Sequence, residues 1–151
     1  MERKDFTVKG YKQMMGTDGY MFKCSLYVGD KRTARISNGG YGGCNDVTVI
    51  DKTLYSEFDK FVSSLGVYQP DSEFSKKYGA IDYNDELFLE DLINEFEAEK
   101  QYKRWCKSKT VFSLPGDKEG EFRTFNSKYS PEMKKHVLEK YPEAIFLNEK
   151  Y

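Results

Sequence analysis

Four glycines fall within eight residues at Asn38-Gly39-Gly40-Tyr41-Gly42-Gly43-Cys44-Asn45. That density opens backbone conformations closed to other residues and can turn successive amides toward an anion. The pattern departs from the common phosphate loops. No GxxxxGK[ST] is present, and the glycines are paired around Tyr41 where GxGxxG would space them. The segment reads first as the end of a hairpin and second as a small-ligand or partner-contacting loop, residues 38–45, with Tyr41 at its tip.

Nucleophilic catalysis needs a base beside a serine or cysteine, and His136 is the one imidazole in the chain. It lies off the Met133, Val137, Tyr141 stripe of its helical segment, so it reads as a solvent-edge residue. Glu86 and Glu90 stand one turn apart on a helical pattern, as paired acids on charged helices commonly do, and no substrate pocket accompanies them. Asp82-Tyr83-Asn84-Asp85-Glu86 begins like a calcium loop but has Leu87 where that loop needs glycine. Cys24, Cys44 and Cys106 are far apart and form no CxxC pair, which signals neither a disulfide framework nor a zinc knuckle. Neither a metal nor a cofactor is expected, and the chain reads as a non-enzyme.

Lys100-Gln101-Tyr102-Lys103-Arg104-Trp105-Cys106-Lys107-Ser108-Lys109 interleaves cations with aromatics, the composition that single-strand binders use for stacking and phosphate contact. In the alternative functional reading, Lys103, Arg104, Trp105 and Arg123 bind single-stranded nucleic acid. In the structural reading of the same residues, Tyr102 and Trp105 pack beneath a C-terminal lobe while the lysines stay solvated.

These residues sit in a chain of 151 residues with a formal charge of −1 that conceals strong segregation. Residues 1–50 carry a net +3, residues 51–99 a net −9 and residues 100–151 a net +5. The acidic middle repels nucleic-acid phosphate, which argues against duplex binding over the whole surface. It reads either as solvated helix faces or as an acidic surface, including Glu86, Glu90 and Glu97, that docks on a basic partner. Aromatics make up 16% of the chain, a share that disordered sequences lack. No apolar run approaches the ~18 residues of a membrane span, and no signal-peptide core follows Met1-Glu2-Arg3-Lys4-Asp5. The expectation is a cytoplasmic protein without a membrane partner.

The elements that must position these groups follow from periodicity. Phe6, Val8 and Tyr11 open a strand, Gly16-Thr17-Asp18-Gly19 turns it, and Tyr20, Phe22, Cys24, Leu26 and Val28 share one face of the next. After Gly29-Asp30, Ala34 and Ile36 return inward, and Val47-Thr48-Val49-Ile50 forms a fourth strand. Asp51 caps a helix reaching Leu65 that covers the sheet, with Gly66 as its stop. Residues 67–83 form a connector in which Pro70-Asp71 opens a short helix carrying Phe74 and Tyr78. A long helix follows from Asn84 or Asp85 to about Lys107. Its Leu89, Leu92, Ile93 and Phe96 lie opposite Ala98, Tyr102 and Trp105, so it either serves two cores or breaks near Glu97 to Gln101. The last third reads as a hairpin of Thr110–Leu114 with Glu121–Phe125, a helix opened by Ser130-Pro131, and a strand at Ala144–Leu147. The fold class is α+β: an antiparallel β-meander packed by a helix (1–66), a connector and long central helix (67–109), and a small ββαβ lobe (110–151). A reading of the three segments as one compact domain stays open beside this division.

The run Gly19-Tyr20-Met21-Phe22-Lys23-Cys24-Ser25-Leu26-Tyr27-Val28-Gly29-Asp30-Lys31-Arg32, continued by Ile36-Ser37-Asn38-Gly39-Gly40-Tyr41-Gly42-Gly43, resembles small uncharacterised proteins of bacteriophages and other mobile elements. The resemblance covers about the first third of the chain. It implies a non-catalytic protein that binds and blocks a host defence protein or nucleoprotein complex, and it assigns no residue a role. Tyr41, Glu86, Glu90 and Glu97 are the expected protein contacts, and self-association stays open.

Overall fold

The computed structural model describes residues 1–16 and 18–151; Thr17, counted in the first turn, lies outside the described residues. Strict alternation builds a four-stranded antiparallel meander in the order β1 (Phe6–Met15), β2 (Tyr20–Val28), β3 (Lys31–Asn38) and β4 (Asp46–Val49). Cys24 pairs with Ile36 and Leu26 with Ala34, and all four side chains are buried on one face with Phe6, Val8 and Val28. Tyr20 was expected on that face but is 55% exposed, because the apolar cover extends only as far as Tyr11 and Phe22.

Two bulges shape the sheet. Gly10 and Tyr11 together oppose Cys24, and Gly10 supplies the left-handed conformation, φ +66°, that such a bulge requires. On β3, Leu26 pairs with Ala34 and Tyr27 with Arg32, which leaves Thr33 as the extra residue. The buried Thr33 carbonyl accepts from the amides of Ile50 (2.8 Å) and Asp51 (3.1 Å), so this bulge receives the chain where the first helix starts.

That helix, α1 (Lys52–Ser63), is capped by Asp51, whose carboxylate accepts from the Leu54 amide at 3.0 Å. Its Phe58 and Val62 are buried against the sheet core, and Gly66 turns the chain out with φ +74°. The connector holds more order than its sequence suggests. β5 (Val67–Tyr68) and β6 (Ile81–Asp82) pair antiparallel around α2 (Glu73–Tyr78). The cap of α2 is Ser72, not the Pro70-Asp71 pair, since only Ser72 places a hydroxyl on the Ser75 amide.

The long helix α3 (Asp85–Ser108) is continuous. The calcium-like segment before it is its start: Asn84 Oδ1 accepts from the Leu87 amide at 3.0 Å. Phe88, Leu89, Leu92 and Ile93 are buried in the same core as the sheet and α1. Phe88 was absent from the expected stripe although it stands four residues before Leu92. Rings gather around Phe6, with centroids of Phe61, Phe58 and Phe88 at 4.8, 5.6 and 6.0 Å.

Two compact units, Met1–Phe96 and Glu97–Tyr151, divide the chain within α3. The second unit contains β7 (Thr110–Ser113), β8 (Arg123–Phe125), α4 (Pro131–Lys140) and β9 (Ile145–Phe146), with sheet order β8-β7-β9 and both pairings antiparallel. Ser130 caps α4 through the Met133 amide at 3.1 Å, with proline at the first helical position. Glu121 and Phe122, expected in β8, precede it; the Phe122 ring instead meets Tyr102 edge-on at 5.0 Å. The core here is Phe112, Val137 and Phe146. Asn148 is buried and satisfied: its Oδ1 accepts from the Val111 amide at 2.7 Å, and its Nδ2 donates to the carbonyls of Lys109 at 2.8 Å and Cys106 at 3.4 Å. Among the described residues no helix is long and apolar enough to cross a membrane.

Candidate functional site

The loop end of the first unit's sheet is where the glycines act. Asn38 organises residues 38–45 from within: its Oδ1 accepts from the Gly40 amide at 2.9 Å, and its Nδ2 donates to the Gly43 carbonyl at 3.1 Å and to Asn45 Oδ1 at 3.0 Å. Gly40 is buried at φ +73° beneath the β1–β2 turn. A Cβ there would stand 3.0 Å from both Gly16 Cα and the Gly19 carbonyl oxygen, and 3.1 Å from Met21 Cγ. The Asp18 amide donates to the Gly40 carbonyl at 2.8 Å, which ties the two turns together.

Glu86 completes this arrangement. From the first turn of α3, its Oε1 accepts from the Asn45 amide at 2.9 Å. A carboxylate of the chain therefore occupies a loop amide that an incoming phosphate would need, and its charge repels a second anion. Glu86 was expected as a free partner contact, and the structure places it as a strut for the loop. Glu90 and Glu97 are exposed on α3. Tyr41 is 74% exposed, with its ring folded over Gly39 so that a Cβ on Gly39 would stand 2.9 Å from the ring.

Around this loop the sheet leaves large apolar chains in water. Met14 pairs with Met21 and Met15 with Tyr20, and Met14 and Met15 are 63% and 70% exposed. An open cleft of about 560 Å³ runs past Met14, Met21, Phe22, Asn38 and Gly39, with Lys12 and Lys23 at its side.

A carboxyl pair lies close by in the same unit. Asp59 on α1 is beside Asp85 at the start of α3, and Tyr55 donates to Asp85 Oδ2 at 3.1 Å. One Asp59 oxygen is buried without a hydrogen-bond partner among the described residues. Burial first, then the neighbouring Asp85, pushes the Asp59 carboxyl up to about 6, and burial with the same carboxylate drives the Tyr55 hydroxyl upward.

In the second unit the aromatic rings of the basic-aromatic segment make internal contacts, while Lys103 and Arg104 are exposed. Tyr102 and Trp105 are half-buried with ring centroids 5.8 Å apart. Lys103 pairs with Glu99 at 3.5 Å and lies 5.6 Å from the Tyr151 ring, while Arg104 donates to Gln101 at 3.4 Å. Arg123 forms a fork on Asp117, at 3.2 and 3.1 Å, and that pairing holds the Asp117 carboxyl below its ordinary range. His136 is exposed, its ring 6.0 Å from Phe125. Of the thiols, Cys24 is buried and pushed up to about 11 by burial, Cys106 is half-buried and shifted the same way, and Cys44 is exposed on the glycine loop. Among the described residues no group of three or more His, Cys, Asp or Glu is placed to hold a metal.

The opposite face of the four-stranded sheet was not read from the sequence. It presents Lys9, Lys12, Lys23, Arg32 and Arg35, all exposed, on three neighbouring strands. Its signal in the sequence is the outward complement of the inward alternation, since Met21, Lys23, Ser25 and Tyr27 are the residues between those of the core face. No protein-family model, curated protein or solved structure matches the chain.

Proposed function

We propose that the protein is a non-enzymatic binding protein that covers part of a partner protein with the loop end of its first sheet. The observation that supports this reading is the apolar exposure at that end: Met15 and its cross-strand partner Tyr20 are 70% and 55% exposed on one face, Met14 is 63% exposed on the other, and Tyr41 is 74% exposed on the loop. Burying one such side chain is worth ~1.5–3 kcal/mol, and large apolar chains left exposed together at one end of a sheet mark an interaction surface. The loop beside them is held by Asn38 and Glu86, which lowers the ordering cost of presenting Tyr41 to a partner. Exposed Glu90 and Glu97 add acidic contacts under the same reading. The resemblance of the N-terminal third to phage and mobile-element proteins makes a host defence protein or nucleoprotein complex the partner class.

The experiment is a nuclease-treated pull-down from bacterial lysate with the full chain and with a Met15→Ser, Tyr41→Ala variant, each followed by mass spectrometry. A protein retained by the native chain and lost with the double variant is the expected result. Equal recovery by both chains would remove the loop end as the contact surface.

A further inference from the structure

The outer face of the β1–β4 sheet carries a charge pattern that folding alone does not explain. Cross-strand rows run Thr7, Tyr27, Arg32; then Lys9, Ser25, Arg35, Thr48; then Lys12, Lys23, Ser37, Asp46. Five cations share this face with one acid, Asp46 at its edge, and among the described residues none of the five makes an ion pair. Lys12 and Lys23 stand directly opposite each other. Like charges in that position destabilise a sheet unless an anion comes between them. Two of the cations are held in place: Lys9 lies 4.5 Å from the centre of the Tyr27 ring, and Arg32 Nε donates to Ser25 Oγ at 3.0 Å.

The helical layer on the other side is of opposite sign. Asp85, Glu86, Glu90, Asp91 and Glu95 come from the part of α3 whose apolar residues pack on the inner face of the sheet, and that part of the helix has no lysine or arginine. The first unit is thus electrically two-sided, and a polyanion has one face to approach.

We propose that this outer face binds single-stranded nucleic acid through its phosphates, with Lys9, Lys12, Lys23, Arg32 and Arg35 as the contacts. The shape favours a chain over a flat lipid surface, because Lys12, Lys23, Arg32 and Arg35 border a depression of about 630 Å³ lined also by Ser25, Ser37 and Thr48, whose hydroxyls can donate to phosphate or sugar oxygens. A single strand fits better than an acidic peptide or a duplex. Its unpaired bases find apolar surface in Met14 and Met21, the next cross-strand pair along the same face, and in Tyr27, whereas a peptide carboxylate or a duplex would use the cations alone. The cations of this site are not part of the protein-binding reading above, the two surfaces meet at Met14, and the site requires no partner protein.

The test is fluorescence anisotropy of the full chain with a labelled oligothymidylate of about 20 nucleotides, a matched duplex, and polyglutamate as competitor, across a salt series. Three to five phosphate contacts predict a slope of log affinity against log salt of about −2 to −3.5 for the single strand. The Lys12→Gln, Lys23→Gln, Arg35→Gln variant should bind at least about 10-fold more weakly and lose about 2 from that slope, with its circular dichroism unchanged. Since all three side chains are exposed, the variant should fold; if it does not, Lys12→Gln alone should weaken binding about 3-fold. Four outcomes overturn the proposal: no binding at low salt, equal competition by polyglutamate, tighter binding of the duplex, or a loss of affinity produced by Lys103→Gln, Arg104→Gln instead. Salt-dependent self-association without oligonucleotide binding overturns it as well, because the basic face would then be meeting the acidic helix of a second copy.

Discussion

Glu86 Oε1 accepts a hydrogen bond from the Asn45 amide at 2.9 Å, so an acid on the first turn of a helix closes a glycine-rich loop that lies forty-one positions earlier. The contact joins the two parts of the sequence that looked most functional and turns one of them into a support for the other. A hydrogen bond to a charged acceptor is worth about 1.5–3 kcal/mol when both partners are shielded, and the amide here is partly buried.

Glu86→Ala should therefore destabilise the first unit by about 1 kcal/mol and raise hydrogen exchange at the Asn45 amide by roughly 5-fold or more. Glu90→Ala, one turn along and exposed, should change neither. Exchange measured by mass spectrometry on both variants separates the two roles.

Gly40 and Gly42 both have positive φ, +73° and +79°, but only Gly40 is closely surrounded. Gly42→Ala meets nothing within 4 Å and should cost about 1 kcal/mol from its backbone conformation alone. Gly40→Ala adds a methyl 3.0 Å from Gly16 Cα and should cost at least about 2 kcal/mol, with the β1–β2 turn displaced. Urea denaturation of the two variants gives the comparison directly.

Asp59 keeps its proton more tightly in the folded chain than in the unfolded one, since burial and Asp85 push its carboxyl up to about 6. Its contribution to stability is complete below the ordinary carboxylate range and is lost as pH rises through about 6. The native protein should lose about 1 kcal/mol between pH 4 and pH 7 from this group, an amount reduced for its partial exposure. Asp59→Asn should remove that slope and leave the protein more stable at pH 7. Thermal melts across the pH range read both effects.

Asn148 fills three backbone positions near the C-terminal end of α3 and the start of β7, at Val111, Lys109 and Cys106. Asn148→Ala leaves a buried amide and carbonyl unpaired and should destabilise the second unit by about 2–3 kcal/mol. Asn148→Asp should be worse at neutral pH, because its carboxylate would face the two carbonyls that now receive hydrogen bonds. Exchange protection in β7 should fall in both variants while β1–β4 stays unchanged.

Much of the fold was legible because it rests on local rules. Asp51 and Ser130-Pro131 announce helix starts by what their side chains do to amides three residues on, and period two in Tyr20–Val28 names Cys24, Leu26 and Val28 as one face without reference to any other strand. The opposed stripes on α3 left open a break near Glu97 to Gln101, and the helix runs through it unbroken, with the two compact units dividing between Phe96 and Glu97. The β5–β6 ladder was hidden because each strand has two residues, too few to show a period. The start of α2 was misplaced because the Pro70-Asp71 signal stands beside the true cap, Ser72.

What only the tertiary structure decided was the use of each polar group. A glutamate in a helical pattern reads the same whether it faces water or a distant amide, and Glu86 became a strut only because α3 packs beneath the loop that β3 leads into. Arg123 reads as a free cation until Asp117 is placed on its fork. The basic outer face is the clearest case. Its cations lie between positions 9 and 35 on three strands, mixed in sequence with core residues, and they become one surface only when the register sets Lys12 against Lys23 and Arg35 beside Ser25. Composition records how many charges the chain carries; strand pairing, which depends on contacts distant in sequence, determines which of them act together.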